Sequence, residues 1–214
     1  MASITAHWVN SCSRQSLEVV LAEYRYLVRR FPQWLSLTIG RCEDEKVRQL
    51  LVPNLVEECG VWNDRASHLS LLDQCLRTCG VPVASTYAPL KSTQEAERWF
   101  FDVFSNEPTY VQLCVLGPGT EAVSQCFLKP LEQGLRNGFP ESTVDFSYFE
   151  AHKTEMEEIH VRNIEEAITH IEQLDHRAQP TRRDTMKAKW IALGIHAHQT
   201  FWDGLKSHLS TNLS

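Results

Sequence analysis

The chain has 214 residues, 43% of them hydrophobic and 22% charged, with a net charge of −6, as expected of an ordinary folded domain. No polybasic run offers a nucleic-acid footprint, no apolar stretch approaches the ~20 residues of a membrane span, and MASITAHWVNSCSRQ lacks the charged start and apolar core of a signal peptide. Seven cysteines without a CxxC pair point to reduced, mostly buried thiols in a reducing cytoplasm, not to a disulfide frame or a cysteine metal site.

Apolar residues recur at helical spacing almost throughout. Leu17, Val20, Leu21, Tyr24, Leu27, Val28 and Phe31 form one stripe, which predicts a helix over Ser16–Arg30. Pro32 then marks a break or bend before a second helix carrying Trp34, Leu35 and Leu37. A helix over Asp44–Cys59 ends at a Gly60 cap. The next, Arg65–Cys79, can be capped by Asn63 or Asp64 and stops at Gly80. GVPVASTYAPLKS reads as a loop, and Ser92 with Glu95 reads as a capping box for Thr93–Ser105. Helices follow at Pro108–Leu116, Thr120–Asn137, Phe146–Leu174 and Arg183–Leu209; only Tyr110–Leu116 competes as a strand. With no repeat and no long linker, residues 1–214 read as one all-α domain.

Three segments carry candidate chemistry. NLVEECGVWNDRASHLSLL holds Glu57, Glu58 and His68; LGPGTEAVSQCFLKPL holds Glu121; YFEAHKTEMEEIHVRNI holds His152, Glu157 and His160. Taken singly, Glu57, His68 and the run Glu155, Glu157, Glu158 are most simply wet helix surface, and Glu121 could serve only a helix dipole. Together they suit a helical bundle that aims carboxylates and imidazoles inward to hold iron.

Those segments carry a resemblance. The sequence resembles the haem-oxygenase-like di-iron oxidases, or iron-containing redox enzymes, over roughly Leu17–Glu166, and FPQWLSLTIGRCEDEKVRQLLVPNLVEECG is similar in pattern to the self-sacrificing p-aminobenzoate synthases. The resemblance implies a compact helical bundle of the haem-oxygenase-like type. It also implies Glu58, His68, Glu121, His152 and His160 as iron ligands, with Glu58 preferred to Glu57 as the second acidic residue after the NL pair. The family pattern H-x-x-x-D/E-x-x-H is broken here, because Met156 stands four residues after His152. A π-bulge between His152 and Glu157 would restore the register and supply Glu157 as the sixth ligand; otherwise Glu155 substitutes or the carboxylate is missing.

The implied activity is that of a non-haem di-iron oxygenase or oxidase. It would use two iron ions and dioxygen to oxidise a small organic metabolite by desaturation, C–C cleavage, decarboxylation or N-oxygenation. Ile4 and Thr5 stand where the p-aminobenzoate synthases draw on a tyrosine of their own, and Leu131 stands where they have a lysine, with Lys129 two residues away. The substrate is therefore expected to be external. Tyr24 is the candidate catalytic phenol. Trp8, Trp34 and Trp202 are expected in the core or lining the cavity, His196 and His198 as a surface or partly buried pair, and Arg25, Arg29 and Arg30 as a solvated face or a carboxylate clamp. A cytoplasmic homodimer served by an external electron donor completes the expectation. Two rivals stand beside it: a metal-free thiaminase-like or quinone-cofactor-forming relative, and an interaction protein with a decayed site.

Overall fold

The computed structural model describes residues 6–61, 66–83, 87–140, 143–153, 155–174 and 180–212, with backbone alone at 155–157 and 212. Among these residues there is no β-strand, and no described helix is long and apolar enough to cross a membrane.

After a 3₁₀ turn at His7–Ser11, α1 spans Arg14–Val28 and is capped by the Ser13 hydroxyl, which accepts from the Ser16 N–H. α2 (Phe31–Arg41) has Pro32 in its first turn, where a missing N–H costs nothing. α3 (Glu45–Glu58) is capped by Asp44, which accepts from the Val47 N–H. α4 (His68–Thr78) is capped by Ser67; the expected caps Asn63 and Asp64 lie outside the described residues. Gly60 and Gly80, just beyond α3 and α4, have φ of 68° and 78°, the left-handed conformation that ends helices and favours glycine.

α5 covers Lys91–Asn106, and its N-terminus has no side-chain cap. The expected Ser92 box is thus corrected: Ser92 lies inside the helix, against the Cα of Gly204. α6 (Thr109–Leu116) is helical and not a strand, because six of its eight residues are buried and a helix hides them on all sides. The Thr120–Asn137 helix is corrected to a 3₁₀ turn at Glu121–Val123 followed by α7, Gln125–Gly138.

The Phe146–Leu174 helix is also two pieces, α8 (Ser147–Ala151) and α9 (Glu155–Leu174). The chain turns at His152–Lys153, so the proposed π-bulge on one continuous helix is replaced by a break. That break frees the His152 carbonyl, which accepts from Gln125 Nε2 of α7 at 2.8 Å. α10 runs from Pro180 to Asn212 and packs along α5 and α6, while α3 packs on α9 and α4 on α8.

Trp202 of α10 is the largest fully buried side chain, 1% exposed. Its ring stacks on Tyr24 at 6.1 Å and receives the edge of Trp8 at 6.4 Å. Trp202→Ala is expected to cost about 3–5 kcal/mol, measurable as a lowered denaturation midpoint.

Candidate metal centre

Asn54, buried on α3, ties that helix to α9. Its Nδ2 donates to the His160 carbonyl at 3.1 Å, and its Oδ1 accepts from Asn163 Nδ2 at 2.8 Å. Three and four residues later on the same helix come Glu57 and Glu58, which this clamp turns toward the His160 ring. Glu57 Oε2 lies 3.6 Å from His160 Nε2, and Glu57, Glu58 and His160 can bring one donor atom each within 4.8 Å of one another.

His68 opens α4 and inserts its ring between the two carboxylates. Nε2 lies 3.0 Å from Glu57 Oε2 and Nδ1 lies 3.0 Å from Glu58 Oε1. The second contact is an ion pair whose angle departs from that of a hydrogen bond. Glu121 Oε1 stands 4.0 Å from His160 Nδ1. The His152 ring is 4.5 Å from that of His68, and its Nδ1–H donates to the Tyr148 carbonyl at 2.7 Å. That bond fixes the tautomer, with the proton on Nδ1 and the lone pair on Nε2.

Five of the six residues expected as ligands, Glu58, His68, Glu121, His152 and His160, are thus brought together. The side chain of Glu157, like those of Glu155 and Met156, lies outside the described residues. Glu57, set aside in favour of its neighbour, belongs to the cluster as well: adjacent helix positions reach the same ring from its two nitrogens.

The charges are those of a site that calls for cations. Burial works against a proton on His68, but the charge of Glu58 and the contacts with both carboxylates push its pKa up to about 11. Burial also opposes ionisation of Glu57, yet the His68 bond holds it below the usual carboxylate range. His152 is driven down to about 4 by burial and then by the charge on His68, and burial lowers His160. Two neutral imidazoles and anionic carboxylates form a donor set suited to iron. Among the described residues, no hydrogen bond of good geometry reaches Glu57 Oε2 or either ring nitrogen of His160, although all three atoms are buried. Such orphaned groups cost free energy unless a ligand engages them.

A cavity of about 70 Å³ opens beside the cluster, with Glu58, His68, Glu121 and His152 in its lining. Tyr24 faces it, and its hydroxyl shares a 2.8 Å hydrogen bond with that of Tyr148, whose ring lies 4.3 Å from His152. Trp34 and Trp202 line it, while Trp8 stands behind Trp202. The arginines of the first helical stripe are engaged elsewhere: Arg25 holds Asp73 at 2.5 and 3.0 Å, Arg30 pairs with Glu97, and Arg29 stacks on Tyr26. His198, expected with His196 as a surface or partly buried pair, is corrected to a buried residue on the cavity wall. His196 is exposed, as an i,i+2 spacing requires when one of the two residues faces inward.

A family model described as iron-containing redox enzyme matches residues 18–194. The 4-aminobenzoate synthase of Chlamydia muridarum (strain MoPn / Nigg) is 29% identical over 172 residues, 76% of this chain and 66% of that protein, so the chain spans just under two thirds of that relative. Among solved structures, a CADD-like protein of unknown function from Nostoc punctiforme PCC 73102 superposes with a TM-score of 0.76 at 21% identity, over 94% of this chain and 85% of that one. A TenA homologue from Pseudomonas syringae pv. tomato DC3000 gives 0.75 at 11% identity, over 94% and 84%. A domain of unknown function with a haem-oxygenase-like fold, from Shewanella denitrificans OS217, gives 0.73 at 10%, over 98% and 87%. At these identities the superpositions speak for the fold alone. With that fold shared and the family match covering most of its length, the chain belongs to the iron-containing redox enzymes of haem-oxygenase-like architecture.

Proposed function

We propose that the protein is a non-haem di-iron oxygenase or oxidase acting on a small organic molecule, with Glu57, Glu58, His68, Glu121, His152 and His160 as the residues that hold iron. The observation that carries this reading is the buried convergence of those carboxylates and imidazoles, with both His160 ring nitrogens unbonded. A metal-free enzyme or a decayed scaffold would leave those nitrogens and Glu57 Oε2 buried at a cost and to no purpose. Iron, when bound, supplies the electrons that reduce dioxygen and so the oxidising power.

The chain's own residues do the rest. Asn54 sets the register of α3 against α9, and the Tyr148 carbonyl orients His152. The Tyr24–Tyr148 hydroxyl pair offers a path along which one proton can shift between phenols at the edge of the cavity. The aromatic walls exclude water. Leu131 is buried in the core and Lys129 is exposed on α7, which favours an external substrate over use of the chain's own side chains. An external electron donor, a cytoplasmic setting and a homodimer belong to the same proposal.

Anaerobic loading with Fe(II) is expected to give about two iron ions per chain and an oxygen-dependent visible absorption. His152→Ala and Glu121→Ala are expected to lose at least one of those ions. Iron content near zero in the parent, or unchanged in both variants, would overturn the reading.

A further inference from the structure

The cavity has two unlike sides. Toward α3, α4 and α8 it presents the carboxylate–histidine cluster; the rest is apolar and largely aromatic, from Tyr24, Phe31, Trp34, Phe127 and Trp202. No lysine or arginine lines it among the described residues, and the charged His68 ring is already paired with Glu57 and Glu58, so an anionic group finds no uncommitted cationic side chain there.

One polar ring interrupts the aromatic wall on α10. His198 lies between Phe100, at 4.9 Å, and Phe127, at 5.6 Å and 25° from parallel. Its Nε2 is 3.2 Å from Thr120 Oγ1, and the Thr120 hydroxyl donates its only proton to the Val115 carbonyl at 2.9 Å. Thr120 can therefore only accept, and His198 Nε2 must carry the proton. The neutral ring then has its lone pair on Nδ1, and the one side-chain hydrogen bond of His198 among the described residues is that at Nε2. Burial pushes the ring down to about 4, so it remains an acceptor at neutral pH.

We propose that His198 Nδ1 is a recognition subsite that accepts a hydrogen bond from an N–H or O–H group of an uncharged, largely apolar substrate. The proposal deepens the oxidase reading and rests on it for the statement that the ligand is a substrate. The size of the cavity limits the class further. Its ~70 Å³ is about half the ~150 Å³ of an apolar cavity that takes benzene, which favours a small ligand.

Pyrrole and furan make the test, since they match in shape and only pyrrole carries a donor. In full-length protein labelled with ¹⁵N at histidine, the His198 resonance is identified by its loss in His198→Phe. Pyrrole is expected to shift its Nδ1 signal, and furan to leave it in place. Calorimetry on the iron-loaded, anaerobic protein should show pyrrole binding about tenfold more tightly, the worth of one hydrogen bond in a buried site. His198→Phe should bind the two alike. Equal affinities in the parent, or a pyrrole shift confined to another histidine, overturns the proposal. Should His198→Phe not fold, the parent's preference for pyrrole over furan still decides. Iron at two per chain with no such preference removes the subsite and keeps the oxidase. A preference for pyrrole in protein that takes up no iron does the reverse.

Discussion

His160→Leu is expected to take up no iron at the pair of donors it shares with Glu57, yet to melt higher than the metal-free parent. The His160 side chain is 1% exposed and neither ring nitrogen is hydrogen-bonded among the described residues. A buried polar group left in that state costs about 1–3 kcal/mol, which a leucine of similar bulk removes. Asn54 bonds the backbone carbonyl at this position, so the α3–α9 clamp survives the change. For a domain of this size each kcal/mol moves the midpoint by about 2–4 °C. Thermal unfolding of both proteins without metal tests the first half. Adding Fe(II) tests the second, because ligand binding should raise the midpoint of the parent more than that of the variant. A metal-free variant that melts below the parent would show that His160 is a packing residue.

Gly119→Ala should damage the site from outside it. A Cβ built at Gly119 would lie 2.7 Å from the Val115 carbonyl oxygen and 3.1 Å from that of Cys114. Both are backbone atoms that cannot swing aside, so the turn leading into Thr120 and Glu121 must shift. α10 blocks one escape, since Gly194 packs directly against Gly119. Overpacking of this kind costs about 1–3 kcal/mol, and a displaced supporting shell typically weakens metal binding by about 10–100-fold. Gly40→Ala is the control, as nothing lies within 4 Å of its Cβ; it should be neutral or gain up to about 1 kcal/mol. Melting curves and iron content of the two variants make the comparison, and equal iron binding would separate Glu121 from this turn.

Most of the fold was legible because its signals are local. The stripe from Leu17 to Phe31, the glycines at 60 and 80 and the Pro32 bend each act within a turn or two of their own position. The break after Ala151 was not legible: AHKTE has neither proline nor glycine, and the bond that satisfies the freed carbonyl comes from Gln125, 27 residues away. Ser92 and Glu95 have the form of a capping box, but α5 starts at Lys91, after Leu90, whose N–H donates to Glu23 of α1, 67 residues away. At the site, residue types and spacing pointed to three segments that the fold brings together, but they set Glu58 above Glu57, whereas one imidazole with two nitrogens contacts both. His198 was hidden by its neighbour His196. A pair of histidines two apart reads as surface, whereas α10 is covered by α5 and α6 on one side. Asn54 gave no signal at all, since its partner lies 106 residues on.

The order in which the chain supplies these donors has a consequence for its biogenesis. Glu57, Glu58 and His68 are made first and close together; Glu121, His152 and His160 follow much later, and only the docking of α9 on α3 brings His160 to Glu57. A chain made only as far as α4 therefore holds two carboxylates and one imidazole of these six side chains. On the proposed iron-binding reading, the full donor set is complete only after long-range closure of the fold.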